Sequence, residues 1–174
     1  MRVVFFVMTA MAIACAEPAD NEDPESVSLV SVNGWTTVEA DDDPLAIHRH
    51  AGIVCGDEGV IVENGVLEID TGRCPYFSAR QGTLLFLDVD DWVAVTIYHD
   101  DLYADPPGVG HVALLLGEDL LWERTISIPA RASVFTEHIK LSRAYPQNTR
   151  VDFHLHNHGL NHWRLMGIER STGP

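Results

Sequence analysis

Trp92-Val93-Ala94-Val95-Thr96-Ile97-Tyr98-His99 is a run of apolar, β-branched and aromatic residues with the composition of a β-strand. Similar short runs recur on both sides of it. Downstream lie 111–116, 120–123, 125–128, 134–139, 150–156 and 163–168; upstream lie 27–32, 53–55, 59–62, 66–70 and 83–87. Glu63-Asn64-Gly65-Val66 is a hairpin signal, because Asn-Gly tolerates the positive φ that a type I′ turn requires. Helical periodicity is hard to find, and the one segment suited to a helical turn, 140–145, is stopped by Pro146. About ten strands at this spacing predict an all-β fold, an antiparallel β-sandwich of jelly-roll type.

The first residues follow another logic. Met1-Arg2-Val3-Val4-Phe5-Phe6-Val7-Met8-Thr9-Ala10-Met11-Ala12-Ile13-Ala14-Cys15 holds one basic residue, an apolar run too short to span a bilayer, and small residues at a cleavage point. It reads as an export signal over residues 1–14. Ala12-Ile13-Ala14-Cys15 resembles the lipobox of bacterial lipoproteins, and the resemblance implies that Cys15 becomes the lipid-bearing first residue. Ala14-Cys15-Ala16 also suits ordinary signal cleavage, which would leave a secreted protein. The acidic, proline-containing stretch 15–26 reads as a flexible tether, and 27–174 as a single sandwich domain. The expected location is the bacterial cell envelope, lipid-anchored to a membrane, or the medium outside it.

Three cysteines are present, Cys15, Cys55 and Cys74. With Cys15 acylated or removed, Cys55 and Cys74 form an even pair in an oxidising compartment and are expected to bridge. They lack the C-x-x-C spacing of a zinc site. A formal charge of −15 repels nucleic acid, so no nucleic-acid partner is expected. Asp41-Asp42-Asp43 and Asp100-Asp101 lack the alternating acids and glycine of a calcium loop and read as solvated turns. No nucleophile elbow, H-E-x-x-H, P-loop or dinucleotide fingerprint occurs, and no residue is assigned a catalytic role.

The nine histidines are the main chemical signal. In a strand, side chains alternate between faces, so Phe153 and Leu155 point one way while His154 and His156 point the other, about 7 Å apart. Two imidazoles so placed can reach one metal, zinc or copper. His99 and His111 end and begin neighbouring runs; paired as a hairpin, those runs would bring the two together as further ligands. His48 and His50 form a second His-x-His pair in a less regular stretch.

Phe153-His154-x-His156-x-x-Gly159-x-Asn161 resembles the copper-ligand strand of Cu/Zn superoxide dismutases, which implies copper-ligand status for His154 and His156 only. Copper-dependent hydroxylases likewise use His-x-His strands with a methionine, for which Met166 is the candidate. The ending 157–163 is similar to the last hairpin of galactose-binding-like jelly rolls. Sugar-binding modules stack ligands on exposed aromatics, and Tyr98, Tyr103, Asn161 and Trp163 are candidates for such a platform at one end of the sandwich. Three readings follow. The first is an exported, lipid-anchored binding module for a carbohydrate, peptide or envelope protein; the second is a metal-binding protein built on His99, His111, His154 and His156; the third is a purely structural lipoprotein.

Overall fold

The structure, a computed structural model, describes residues 26–50, 52–56 and 58–174. Cys15, the signal over 1–14 and the tether up to residue 25 lie outside the described residues. Eleven strands are present among the described residues: β1 (Val27–Ser28), β2 (Thr36–Thr37), β3 (Val60–Glu63), β4 (Val66–Asp70), β5 (Tyr76–Gly82), β6 (Trp92–His99), β7 (Gly108–Leu116), β8 (Asp119–Ile128), β9 (Ser133–Lys140), β10 (Arg150–Asn157) and β11 (His162–Ser171). Two short 3₁₀ turns, Ala40–Asp42 and Ala46–His48, interrupt the stretch between β2 and β3.

The strands form two antiparallel sheets. One has the order β3-β4-β11-β6-β9, with β1 also paired to β11; the other has the order β2-β5-β10-β7-β8. The pairing is nested. β7 pairs with β8, β6 with β9, β5 with β10 and β4 with β11, so the chain behaves as one long hairpin wound into two layers. That winding is the jelly roll, and it confirms the fold expected from strand spacing. The Asn64-Gly65 turn joins β3 to β4 with φ of 51° and 78°, the paired left-handed conformation of a type I′ turn.

The core lies between the layers. Leu67, Ile69, Val95 and Ile97 from the first sheet meet Phe77, Val112, Leu114, Phe153 and Leu155 from the second, with Trp163 fully buried among them. Each of these strands sends alternate residues inward, as a pleated strand must. Cys55 and Cys74 are joined as a disulfide, tying the segment before β3 to the start of β5.

Three expectations are corrected. Segments 53–55 and 83–87 are irregular connections rather than strands; Leu87 is anchored instead by a single bridge to Tyr145. Of 27–32 only Val27–Ser28 is a strand: Leu29 N–H makes a last bond to the Ile168 carbonyl of β11, and its own carbonyl is then taken by the Leu84 N–H of an irregular connection. Finally, β6 and β7 are not a hairpin. They lie in opposite sheets, β6 between β11 and β9, β7 between β10 and β8. Local sequence marks both as strands, but the nested winding decides their neighbours.

Candidate metal centre

The outer face of the second sheet carries the chemistry. β10 points Val151, Phe153 and Leu155 into the core and Asp152, His154 and His156 away from it. Register sets His156 between Tyr76 on β5 and His111 on β7, and His154 between Ser78 and Ala113. An outer sheet face is ordinarily wet, yet Asp152 and His154 are each only 1% exposed.

A strap over residues 38–50 lies against this face. Val38 N–H donates to the Ser78 carbonyl at 2.9 Å. Buried Asp43 accepts hydrogen bonds from the Tyr76 hydroxyl at 2.5 Å and the Ser78 hydroxyl at 3.1 Å. Arg49 lies 4.8 Å over the Tyr76 ring and donates to the Val38 carbonyl at 2.9 Å. Asp43 is thus a buried anchor, not the solvated turn residue that the run of three aspartates suggested. The same hydrogen bond and burial raise the Tyr76 hydroxyl above its usual pKa, with burial the larger cause.

The 3₁₀ turn Ala46–His48 brings His48 over the sheet. Its ring lies 4.6 Å from that of His111, 5.5 Å from His156 and 5.6 Å from His154, centre to centre. One ligand nitrogen from each of His48, His111 and His156 lies within 4.8 Å of the other two. Nitrogens bound tetrahedrally at zinc are about 3.4 Å apart, so the three rings must draw together by about 1 Å to share an ion.

The protonation states favour coordination. His111 Nε2 lies 3.0 Å from Glu123 Oε2 on β8, and a carboxylate can only accept, so Nε2 carries the proton. Its Nδ1 is the nitrogen left to face an ion, buried and without a protein partner. A metal-binding imidazole oriented by a carboxylate on its far nitrogen has this arrangement. His154 has no partner for either nitrogen. Burial, then the neighbouring imidazoles, push His154 down to about 2 and His156 down to about 4, while burial and His111 lower His48. All three stay neutral near pH 7, the form that binds a metal. His158 stands 5.3 Å from His156 at the exposed rim.

His111, His154 and His156 are therefore brought together, and His48 joins them. His99 does not. It is 2% exposed on β6 in the other sheet, 4.9 Å from the Trp163 ring, with Nδ1 2.8 Å from the Asp100 carbonyl. Met166, on β11 in that same sheet, is likewise remote from the histidines. The sequence signal for His48 was its His-x-His pairing with His50; no signal pointed to Glu123.

The proposed stacking platform is not assembled either. Trp163 is 1% exposed and donates Nε1–H to Asn157 Oδ1 at 3.2 Å. Asn161 is buried, accepting from the Tyr103 N–H at 2.7 Å and donating to the Tyr103 and His158 carbonyls. Tyr98 is half-buried beneath Arg164, its hydroxyl bonded to Asp100 at 2.7 Å. Only Tyr103 is open to solvent. A cleft of about 600 Å³ lies instead beside the strap, with Trp35, Val38, Glu39, Arg49, Val60 and Phe77 in its lining.

No family model matches the chain, and no curated protein matches it. Solved structures of similar fold include a family 4 carbohydrate-binding module, at 14% identity and a TM-score of 0.46 over 84% of this chain and 95% of that one. The K3 cleaved adhesin domain of Lys-gingipain from Porphyromonas gingivalis matches at 12% identity and 0.49, over 85% and 98%. The xylan-binding module of family 15 matches at 10% and 0.46, over 85% and 96%. At such identities the likeness assigns no ligand to this chain.

Proposed function

We propose that this protein binds a divalent transition-metal ion, zinc or copper, through His48, His111 and His156. The observation that carries the reading is the convergence of three imidazoles from the strap, β7 and β10 on one point, with the buried, unpartnered His154 beside them. Neutral nitrogen donors suit zinc, copper and nickel and exclude magnesium and calcium. We also propose, from the first residues of the sequence, that the chain is exported by residues 1–14 and lipid-anchored through Cys15, which would set the centre outside the cytoplasm. Replacement of Cys15 by serine is expected to move the protein from the membrane to the soluble fraction.

The direct test is titration of metal-stripped, full-length protein with Zn²⁺ and Cu²⁺, followed by elemental analysis after desalting. One equivalent is expected to remain with the wild type and with His138→Ala, which alters an exposed histidine on β9. The His111→Ala, His156→Ala double variant is expected to retain none. Glu123→Gln is expected to weaken binding by about 10- to 100-fold, the usual cost of losing the carboxylate behind a ligating imidazole. A wild type that emerges metal-free, with an unchanged melting temperature, overturns the reading.

A glycan, peptide or envelope-protein ligand remains part of the proposal only through the cleft, where the partly exposed Trp35 supplies aromatic surface. Loss of such binding in Trp35→Ala, with stoichiometric metal retained, would separate that activity from the metal centre.

A further inference from the structure

The three metal-facing histidines differ in what holds them. His111 and His156 are register partners on adjacent central strands, fixed by the sheet's own hydrogen bonds. His48 belongs to the strap. Among the described residues, the strap is fastened to the sheet through polar groups: the backbone at Val38, the Asp42 carbonyl beneath Arg80, the carboxylate of Asp43, the Leu45 carbonyl beside the Tyr76 hydroxyl, and the Arg49 guanidinium on Tyr76. The N–H groups of Ala46, His48 and Arg49 bond only within the strap, to Asp43, Leu45 and Ala46. Its outward residues are exposed, Ile47 at 90%. A segment with few buried apolar contacts and locally closed hydrogen bonds opens at low cost.

We propose that the ion is the clasp of this strap: coordination by His48 ties residues 43–50 to β7 and β10, so metal occupancy decides whether the strap is closed. The proposal rests on the metal reading of the histidine cluster. Its consequence reaches the cleft, because Val38, Glu39 and Arg49 are strap residues in the cleft lining. The ion stabilises the closed strap by mass action, in proportion to the excess of free metal over its dissociation constant. A ligand in the cleft then meets a fixed wall in the loaded protein and a mobile one in the stripped protein.

Arg49 makes the proposal testable without any variant, since trypsin cleaves after arginine and needs the segment open. Metal-stripped full-length protein is digested under native conditions, with and without saturating Zn²⁺, and fragments are followed by mass spectrometry. Arg131, whose side chain is 93% exposed beyond β8 and outside the strap, is the internal control. Zinc is expected to slow cleavage after Arg49 at least tenfold and to leave cleavage after Arg131 unchanged. In His48→Ala, cleavage after Arg49 is expected to be fast with or without zinc. In Asp43→Asn, which loosens one of the metal-independent fastenings and keeps all three ligands, the stripped protein is expected to be cut faster and zinc still to protect it. One bound zinc with unaltered cleavage after Arg49 overturns the clasp while leaving the metal centre standing. Absence of bound zinc on elemental analysis overturns both.

Discussion

His154 shows what a single residue reveals about this site. It is 1% exposed, both its ring nitrogens lack a protein partner, and burial holds it neutral down to about pH 2. A buried polar group left unsatisfied costs about 1–3 kcal/mol, so an apolar side chain of similar volume should suit the metal-free fold better. His154→Leu is therefore expected to stabilise the stripped protein by about 1 kcal/mol in urea denaturation. A loss of stability in that experiment would mean that His154 has a structural partner in solution. Histidine at this position disfavours the empty fold, which is the pattern expected where a site is kept for a ligand.

At the scale of an element, the connection between β10 and β11 sets the end of the sheet where the histidines lie. The single hydroxyl proton of Thr71 is shared between the Gly159 and Asn161 carbonyls, each 3.0 Å from Oγ1, and Asn157 Nδ2 donates to Thr71 Oγ1 at 2.9 Å. Gly159 adopts φ of 95°, and a Cβ there would fall 1.9 Å from the Tyr103 carbonyl oxygen. Gly159→Ala combines a backbone conformation that other residues avoid with a collision against main chain. It is expected to cost more than about 2 kcal/mol by thermal denaturation, and a neutral result would show that the connection rearranges freely. Asn157 and Asn161 act here as the internal scaffold of a loop, which is why neither is free to meet a ligand.

For the whole molecule, acid is the natural stress. His154 and His156 have folded-state pKa values of about 2 and about 4, below the 6.5 of an unfolded histidine. Above pH 6.5 both states are neutral and these groups exert no pH effect. As pH falls through 6.5 the unfolded chain takes up protons that the folded chain refuses, so stability declines and continues to decline towards the folded values. Each unit costs about 1.4 kcal/mol per excluded proton, hence about 2 kcal/mol from His154 between pH 6.5 and 5. The metal-free protein should accordingly melt earlier at pH 5 than at pH 7, and a variant with His154→Leu should lose less across that interval. Equal losses in the two proteins would contradict the assignment of a refused proton to His154.

Much of this was legible along the chain. Short β-branched runs, the Asn64-Gly65 turn, the cysteine pair and the alternation that puts His154 and His156 on one face are local properties of strands and turns, and periodicity and turn chemistry express them directly. The site's membership was not. His99 was lost and His48 and Glu123 were gained because partners in a wound hairpin are set by how the layers close. Burial of Trp163, Asn161 and Asp43 was hidden for the same reason: whether a polar or aromatic group faces water depends on segments far away in sequence that come to cover it. The amino-acid order determined which residues could be strands and which faces they would present. Only the tertiary structure decided which faces meet, because sheet partners and the strap's resting place arise from burial shared between distant parts of the chain.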